Sequence, residues 1–469
     1  MVQILVQTPT PAALNDCRLS LPRVIVVEPT APATLPVALR AHAALRTLDL
    51  DAEHVVAFVP SLSQIAVLNR PALALLRRLP LADPAEAYGP LAALASLGLL
   101  VADADAGAIP PPPPPSALVA WLHLTNACNL RCAYCYIAKS AATMDLTTAR
   151  AAVAAVVAAA LRHGYSEIAL KYAGGEPLLA LDTLAATHTY ARERCAAAGL
   201  ALQATVLTNG TALTAERAAR LGALGLAVTV SLDGLGGSND WQRPTLAGRG
   251  SATAALAGIK AVVAGGLAPT VAITVTRSSL SETPALVAWL LEQGLAFTVS
   301  FYRDHACSQS RDDLALEAAQ IITGMRAVYA TVAANPPPWS VLGALLDRAD
   351  LSHAHGRACA AGEHYMVIDH HGRIAACQMA MAQPVATVTD ADPLGAIRLD
   401  PQLPLGRHVA AKEGCQTCEW RYWCGGGCPI ATLRATGRTD IRSPNCAIYQ
   451  ALYPDLIRLE GLRLLRQAH

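Results

Sequence analysis

The sequence predicts an α/β protein organised on a parallel sheet, and three observations support this. Between residues 117 and 334, apolar strands at 118–124, 167–172, 201–207, 226–232, 270–276 and 296–301 alternate with helical stretches such as 146–163, 181–198 and 215–224. Such alternation with short connections implies parallel pairing, in a sheet that is either doubly wound or curled into part of a barrel. The proline run at 110–115 prefers extended polyproline II and cannot join a helix or central strand, so it marks a boundary. Beyond Pro336, Pro337 and Pro338 the alternation gives way to densely spaced cysteines. The expected domains are residues 1–108, a linker at 109–116, a core at 117–334 and a cysteine-rich domain at 335–469.

With 469 residues and a formal net charge of +1, the chain can build two or three cores and offers neither a basic nucleic-acid surface nor an acidic tail. Its 53% hydrophobic content comes largely from alanine in helical stretches. The apolar run at 151–161 is too short to span a bilayer, and 252–275 is broken by Lys260, Gly265, Gly266 and Pro269, so no membrane span is expected. The first eight residues lack a basic segment followed by a long apolar one, which argues against a signal peptide. The protein is expected to be cytoplasmic, where thiols stay reduced and clustered cysteines bind metal more often than they pair.

Residues 1–108 contain only Cys17, read as a small buried residue. Strands are expected at 54–59 and 64–69 around a turn at 60–63, then helices at 71–78 and 85–100. A hairpin followed by helices suggests a winged-helix-like module. The pattern resembles leader-peptide recognition domains, which bind an extended peptide by adding it as a strand, and that role would fall to the 54–69 hairpin. The alternative is a packing extension of the core. On the recognition reading, residues 1–108 could be removed without disturbing the core's own pocket.

The chemistry of the core begins at Cys128, Cys132 and Cys135, spaced C-x3-C-x2-C directly after the first strand. Three thiolates on one loop can hold three corners of a [4Fe-4S] cluster and leave its fourth iron open. A zinc knuckle would need a fourth ligand at close spacing, and only His123 is near; a disulfide framework does not suit an odd count. The motif, with aromatic Tyr134 before its third cysteine, resembles the signature of radical S-adenosylmethionine (SAM) enzymes. In that family the cluster reductively cleaves SAM to a 5'-deoxyadenosyl radical.

Later loops agree with the resemblance. After the second strand, Gly174, Gly175, Glu176 and Pro177 could be a plain turn, or glycines letting backbone approach a ligand beside an acid that accepts from an ammonium. Their position resembles the family's SAM amino-group motif, which makes Gly174, Gly175 and Glu176 expected SAM contacts. Thr208 and Asn209 follow the third strand in a turn. After the fourth come Ser231, Asp233 and Arg243, resembling the S-[IL]-D-G segment of peptide-modifying members; Ser231 and Arg243 are expected on the SAM carboxylate and ribose side. Residues 273–276 close the fifth strand, either near adenine or as plain core. Residues 302–307 follow the sixth as candidate substrate contacts, and Cys195 reads as core.

In the last domain, Cys359 precedes Gly372 by twelve intervening residues and Cys377 follows after four; Cys415, Cys418, Cys424 and Cys428 are then spaced x2, x5 and x3, and Cys446 follows after seventeen more intervening residues. Zinc could take Cys415, Cys418, Cys424 and Cys428 as a ribbon. The full order instead resembles the SPASM domain, which carries two auxiliary [4Fe-4S] clusters. That resemblance would give Cys359, Cys377 and Cys428 to the first and Cys415, Cys418, Cys424 and Cys446 to the second, with Cys307 or His355 as candidates to complete the first. Asp369 to Gly372 should turn a hairpin, leaving His370 and His371 in solvent.

The resemblance thus implies a partial (β/α)6 TIM-like barrel with a winged-helix-like recognition module and a C-terminal iron-sulfur SPASM domain, holding three [4Fe-4S] clusters and SAM. Its partners would be a precursor peptide and a flavodoxin- or ferredoxin-type reductant, with no nucleic acid and no membrane. A peptide maturase forming a thioether or carbon–carbon crosslink, a sulfatase-maturing formylglycine-forming enzyme, a peptide epimerase and an iron-sulfur electron carrier remain open. The sulfatase type is disfavoured because Gln378 and Met379, rather than an aspartate, follow Cys377.

Overall fold

A computed structural model of the protein describes residues 3–7, 24–26, 39–60, 62, 65–79, 88–102, 112–308 and 311–468. Cys17, parts of the 60–63 turn, residues 85–87 and the start of the proline run lie outside the described residues.

The N-terminal part contains β1 (Ile4–Gln7), β2 (Val24–Val26), β3 (Leu39–Ala41), β4 (Arg46–Asp49), β5 (His54–Phe58), β6 (Ile65–Asn69), α1 (Arg70–Arg77), α2 (Tyr88–Ser96) and β7 (Leu100–Ala102). Five strands form one antiparallel sheet in the order β2-β1-β6-β5-β4, and β3 pairs with β7. Alternation divides β5 and β6 between two cores: Val55, Ala57 and Leu68 pack with Leu73, Leu91 and Leu94, while Val56, Phe58 and Ile65 join the main core. Asn69 caps α1 by accepting from the Ala72 amide at 3.0 Å. The expected hairpin is present as β5 and β6, but both are interior strands. Their ladders are already filled on both sides, so a peptide cannot add to this hairpin; among the described residues the sheet's edges are β2 and β4.

The core follows the expected alternation: β8 (Ala117–His123), α3 (Leu146–Arg162), β9 (Glu167–Ala173), α4 (Leu181–Ala197), β10 (Ala201–Thr208), α5 (Ala215–Ala223), β11 (Ala227–Ser231), α6 (Gly237–Gln242), α7 (Ala252–Ala264), β12 (Thr270–Val275), α8 (Thr283–Glu292), β13 (Phe297–Phe301), α9 (Arg311–Leu314) and α10 (Ala318–Ala334). The six strands pair in parallel and in chain order, which is the open (β/α)6 barrel. All have buried faces because helices cover them, which explains their near-continuous apolar runs. Helix starts are fixed locally: Asp145 accepts from the Thr148 amide at 2.7 Å, and Glu317 and Gln320 form a capping box.

The C-terminal part adds β14 (Tyr365–Ile368), β15 (Arg373–Ala375), β16 (Ala386–Thr387), α11 (Pro393–Leu399), α12 (Arg421–Cys424), α13 (Pro429–Thr436) and α14 (Cys446–Ala468). β14 runs parallel to β8 and extends the barrel sheet; β15 and β16 follow antiparallel. The Asp369 to Gly372 turn forms as expected, Asp369 accepting from the His371 and Arg373 amides at 2.9 Å. His370 departs from expectation: it is buried against His123, ring centroids 6.1 Å apart, because β14 sets the turn beside the end of β8. Helix α14 lies against the N-terminal sheet, where Leu464 and Leu465 pack on Leu5 and Val67. Among the described residues no helix is long and apolar enough to cross a membrane.

Candidate active site

Parallel strands deliver their following loops to one end of the sheet, and the predicted residues gather there. The Cys128 to Cys135 loop leaves β8 and is stitched to residues 242–246: the Arg131 amide donates to Pro244 at 2.7 Å and the Ala133 amide to Gln242 at 2.8 Å. The loop after β9 is stitched to the same entry, Gly175 donating to the Thr125 carbonyl at 2.6 Å and Glu176 to that of Ala127 at 2.8 Å. Gly174 has φ of +152°, and a Cβ on it would lie 2.5 Å from the Thr125 oxygen; one on Gly175 would overlap the Ala127 carbonyl. The glycines are thus required by the chain's own backbone beside the cysteine loop.

Glu176, expected as a SAM contact, has its carboxylate engaged within the chain. It is fully buried, and its carboxylate accepts from Thr208 Oγ1 at 2.6 Å, the Asn209 amide at 2.7 Å and the Leu178 amide at 3.1 Å. It locks the β9 turn to the β10 turn. Asn209 then reaches across, donating from Nδ2 to Asn129 Oδ1 at 2.9 Å, with Cys128 Sγ at 3.9 Å.

Tyr134, Asp233 and Arg243 form a buried network. Tyr134 donates to Asp233 Oδ2 at 2.5 Å, Arg243 donates to the Tyr134 hydroxyl, and Arg243 Nη1 lies 3.3 Å from Asp233 Oδ2. The second Asp233 oxygen accepts from the Thr274 amide at 2.7 Å. Burial and the neighbouring carboxylate hold the Tyr134 phenol far above its ordinary pKa, so it stays protonated as a donor.

The C-terminal cysteines separate into two sets across one turn. Gly425, Gly426 and Gly427 have φ of 54°, 81° and 69°, and side chains there would strike the backbone at Arg357 and Ala358, the Lys412 stem and Ser443. Cys424, before this run, has Cys415 and Cys418 as charge neighbours, and Cys446 has Cys418. Cys428, after it, neighbours Cys377 and Cys359. Lys412 is buried near both sets, donating to the Gly426 carbonyl at 3.4 Å.

A cavity of about 810 Å³ joins the core to the C-terminal domain. Its wall contains Cys128, Cys132 and Cys135 together with Cys359, Cys377 and Cys428, while Cys415, Cys418, Cys424 and Cys446 lie outside it. Tyr134, Gly174, Gly175, Thr208, Asn209, Ser231 and Arg243 also line it; Glu176 and Asp233 stand behind that wall. Of residues 302–307 only Tyr302 and Arg303 reach it, and His355 lines it whereas exposed Cys307 does not. Cys195 is core, as expected.

These donor sets suit iron-sulfur clusters. The thiols are free of disulfides, and burial pushes Cys132 up to about 11, Cys377 to about 12 and Cys424 to about 11. A cationic metal group would offset that cost of ionisation. Cys428 is held below the usual thiol value, despite burial, by Arg303 and Arg348. Asp347, Arg348 and Lys412 had escaped the sequence reading, since they belong to no recognisable spacing and become visible only as neighbours of the cysteines.

Residues 122–280, which contain the cysteine loop, both glycines and the Tyr134 network, match the Radical SAM superfamily. They are a radical SAM domain. Pre-heme d1 synthase of Dinoroseobacter shibae is 31% identical over 197 residues, which is 40% of this chain but only 43% of that protein. The serine-type anaerobic sulfatase-maturating enzyme of Klebsiella aerogenes is 23% identical over 363 residues, 73% of this chain and 87% of that protein. The structure of native anSMEcpe with bound AdoMet and Cp18Cys peptide shares the fold with a TM-score of 0.58 at 16% identity, covering 73% of this chain and 98% of that one. The radical SAM fold of this chain is the partial barrel with a mostly parallel sheet described above.

Proposed function

We propose that the protein is a radical SAM peptide maturase, which removes a hydrogen from a ribosomally made precursor peptide and closes a thioether or carbon–carbon crosslink. Cys128, Cys132 and Cys135 would hold one [4Fe-4S] cluster, Cys359, Cys377 and Cys428 a second, and Cys415, Cys418, Cys424 and Cys446 a third. The observation that carries the reading is the shared cavity, whose wall includes both of the first two sets. When bound, these groups supply a hydrogen-abstracting 5'-deoxyadenosyl radical and a one-electron acceptor. The product then lacks two hydrogens, one taken as an atom and one lost as a proton whose electron passes to the acceptor.

The chain's own residues would orient and enclose. Gly174 and Gly175 bring backbone to the cavity, and Thr208, Asn209, Ser231 and Arg243 offer polar groups for SAM. Glu176 and Asp233 fix those groups from behind. A peptide substrate is supported by the Cp18Cys peptide in the related structure, and the external reductant would be a flavodoxin or ferredoxin.

Formylglycine formation is the second reading, favoured by the match to the sulfatase-maturating enzyme over most of its length. It needs a base for the side chain being oxidised. The carboxylates lining the cavity are held elsewhere: Asp347 by Arg303 at 2.7 and 2.5 Å, Asp350 by Ser352 and His353, and Glu460 by Arg463 at 2.6 Å. The deciding experiment incubates reconstituted protein, SAM and dithionite with candidate precursor peptides, chosen from any small open reading frame beside its gene, followed by tandem mass spectrometry. A crosslinked peptide short of two hydrogens supports the proposal. A hydrazine-trapped aldehyde replaces it with formylglycine formation, and unchanged mass with solvent deuterium at one α-carbon replaces it with epimerisation.

A further inference from the structure

The geometry points to Arg348 as a carboxylate receptor for the substrate, set in the cavity wall beside Cys359 and Cys428. Only the occupant's being a peptide rests on the function proposed above.

Among the described residues Arg348 is the one non-glycine with left-handed backbone, at φ of 56°. An L side chain is held there only when its surroundings insist. Here the flanking chain is pinned, the Ala349 amide donating to Leu346 at 3.2 Å and the Asp350 amide to the Trp423 carbonyl at 2.9 Å. The result is a guanidinium on the cavity wall whose Nε is buried without a hydrogen-bond acceptor. Its nearest carboxylate, Asp347, is 3.9 Å away and already taken by both bonds from Arg303.

Five other charged side chains on this wall, Arg243, Arg303, Asp347, Asp350 and Glu460, are matched within the chain. Arg243 has Asp233, Arg303 has Asp347, Asp350 has His353, and Glu460 has Arg463. Lys139 and Lys171 add further positive charge to the lining. Arg348 Nε is left unsatisfied although the Cys359 and Cys428 thiols stand beside the guanidinium, and a planar carboxylate would satisfy the fork with two parallel bonds. A peptide carries that group either on an Asp or Glu side chain or at its C-terminus.

Three small probes separate these sources on the reconstituted full-length protein: N-acetylglycine for a terminal carboxylate, N-acetyl-aspartate α-amide for a side-chain one, and N-acetyl-asparagine amide as the neutral control. Calorimetric titration should show one carboxylate probe binding at least about tenfold more tightly than the control, as expected for a charge-assisted hydrogen bond. Arg348→Gln should abolish that preference and Arg348→Lys should keep part of it, with iron content and SAM cleavage at the parent level. Equal binding of all three probes, or full preference retained in Arg348→Gln, overturns the assignment. So does loss of iron in both Arg348 variants, because the residue would then be a counter-charge for the Cys359, Cys377 and Cys428 site. The binding result does not depend on which product the enzyme makes, so the receptor and the crosslinking reading can fail separately.

Discussion

Tyr134 donates to Asp233 across a distance of 2.5 Å, joining the cysteine loop to the end of β11, and Arg243 touches both. Removing one member of such a buried charged network leaves another uncompensated, at a cost of about 3–5 kcal/mol. Asp233→Asn should therefore lower the melting temperature more than Tyr134→Phe, which deletes only a hydroxyl. Both should weaken SAM binding, since they release the loop from β11. Calorimetric melting with SAM titration checks the order, and an Asp233→Asn protein as stable as the parent would contradict it.

Gly175→Ala should displace the cysteine loop. Its Cβ would overlap the Ala127 carbonyl one residue before Cys128, and backbone cannot yield there without moving the thiols. The expected outcome is loss of about four irons per chain, one cubane cluster's worth, with the remaining iron retained. Iron analysis and electron paramagnetic resonance of the reduced protein report this directly.

The barrel was legible because its strands are buried on both faces and three of its helices, α3, α5 and α10, start on a capping side chain; the six core strands begin or end within one or two residues of their expected positions. The cysteine sets were expected from their spacings, and the left-handed Gly425 to Gly427 turn lies between Cys424 and Cys428, which that expectation gives to different clusters. Long-range pairing was not legible. Local sequence identifies His54 to Asn69 as a hairpin, yet only tertiary structure shows that β1 and β4 occupy its edges. The same limit applies to Glu176, whose acceptor role toward Thr208 and Asn209 depends on two strands meeting.

Deleting residues 1–108 should destabilise the whole protein, contrary to what a detachable module would do. Ile65 lines the cavity, Trp423 donates from Nε1 to the Leu62 carbonyl at 3.0 Å, and Leu5 and Val67 cover Leu464 and Leu465. Each large apolar side chain uncovered costs about 1.5–3 kcal/mol, so a handful exceeds the usual stability margin. The truncated chain should be aggregated or low in iron. A soluble truncation with parent iron content and SAM cleavage would restore the module reading.

Acid should destabilise the fold through His123. Its ring is fully buried, Nε2 donates to Asn126 Oδ1 at 2.6 Å, and burial lowers its pKa to about 4. The unfolded chain takes up a proton near pH 6.5 and the folded one does not, so stability falls as pH drops from about 6.5 toward 4, by up to about 3 kcal/mol. His123→Gln should flatten, though not remove, that slope, because His364 is lowered by burial in the same way. Urea unfolding at several pH values measures it.

Cys424 and Cys428 stand four residues apart in sequence, and their single variants should affect different clusters. The left-handed glycine run turns the chain between them, so that Cys424 joins Cys415 and Cys418, and Cys428 joins Cys359 and Cys377. If both sets and the Cys128, Cys132 and Cys135 loop hold clusters, the parent should contain about 12 irons at four per cluster. Cys428→Ala leaves the cavity set with two thiols and should remove the signal of the site that faces substrate. Cys424→Ala should perturb a site outside the cavity and leave SAM cleavage near parent rates, because none of Cys415, Cys418, Cys424 and Cys446 lines that wall. Replacing Cys128, Cys132 and Cys135 together should abolish SAM cleavage while both C-terminal signals persist. Spectra in which Cys424→Ala and Cys428→Ala lose the same signal would show that the two thiols share one site, and zinc in place of iron at the Cys415 to Cys446 set would remove the third cluster from the assignment.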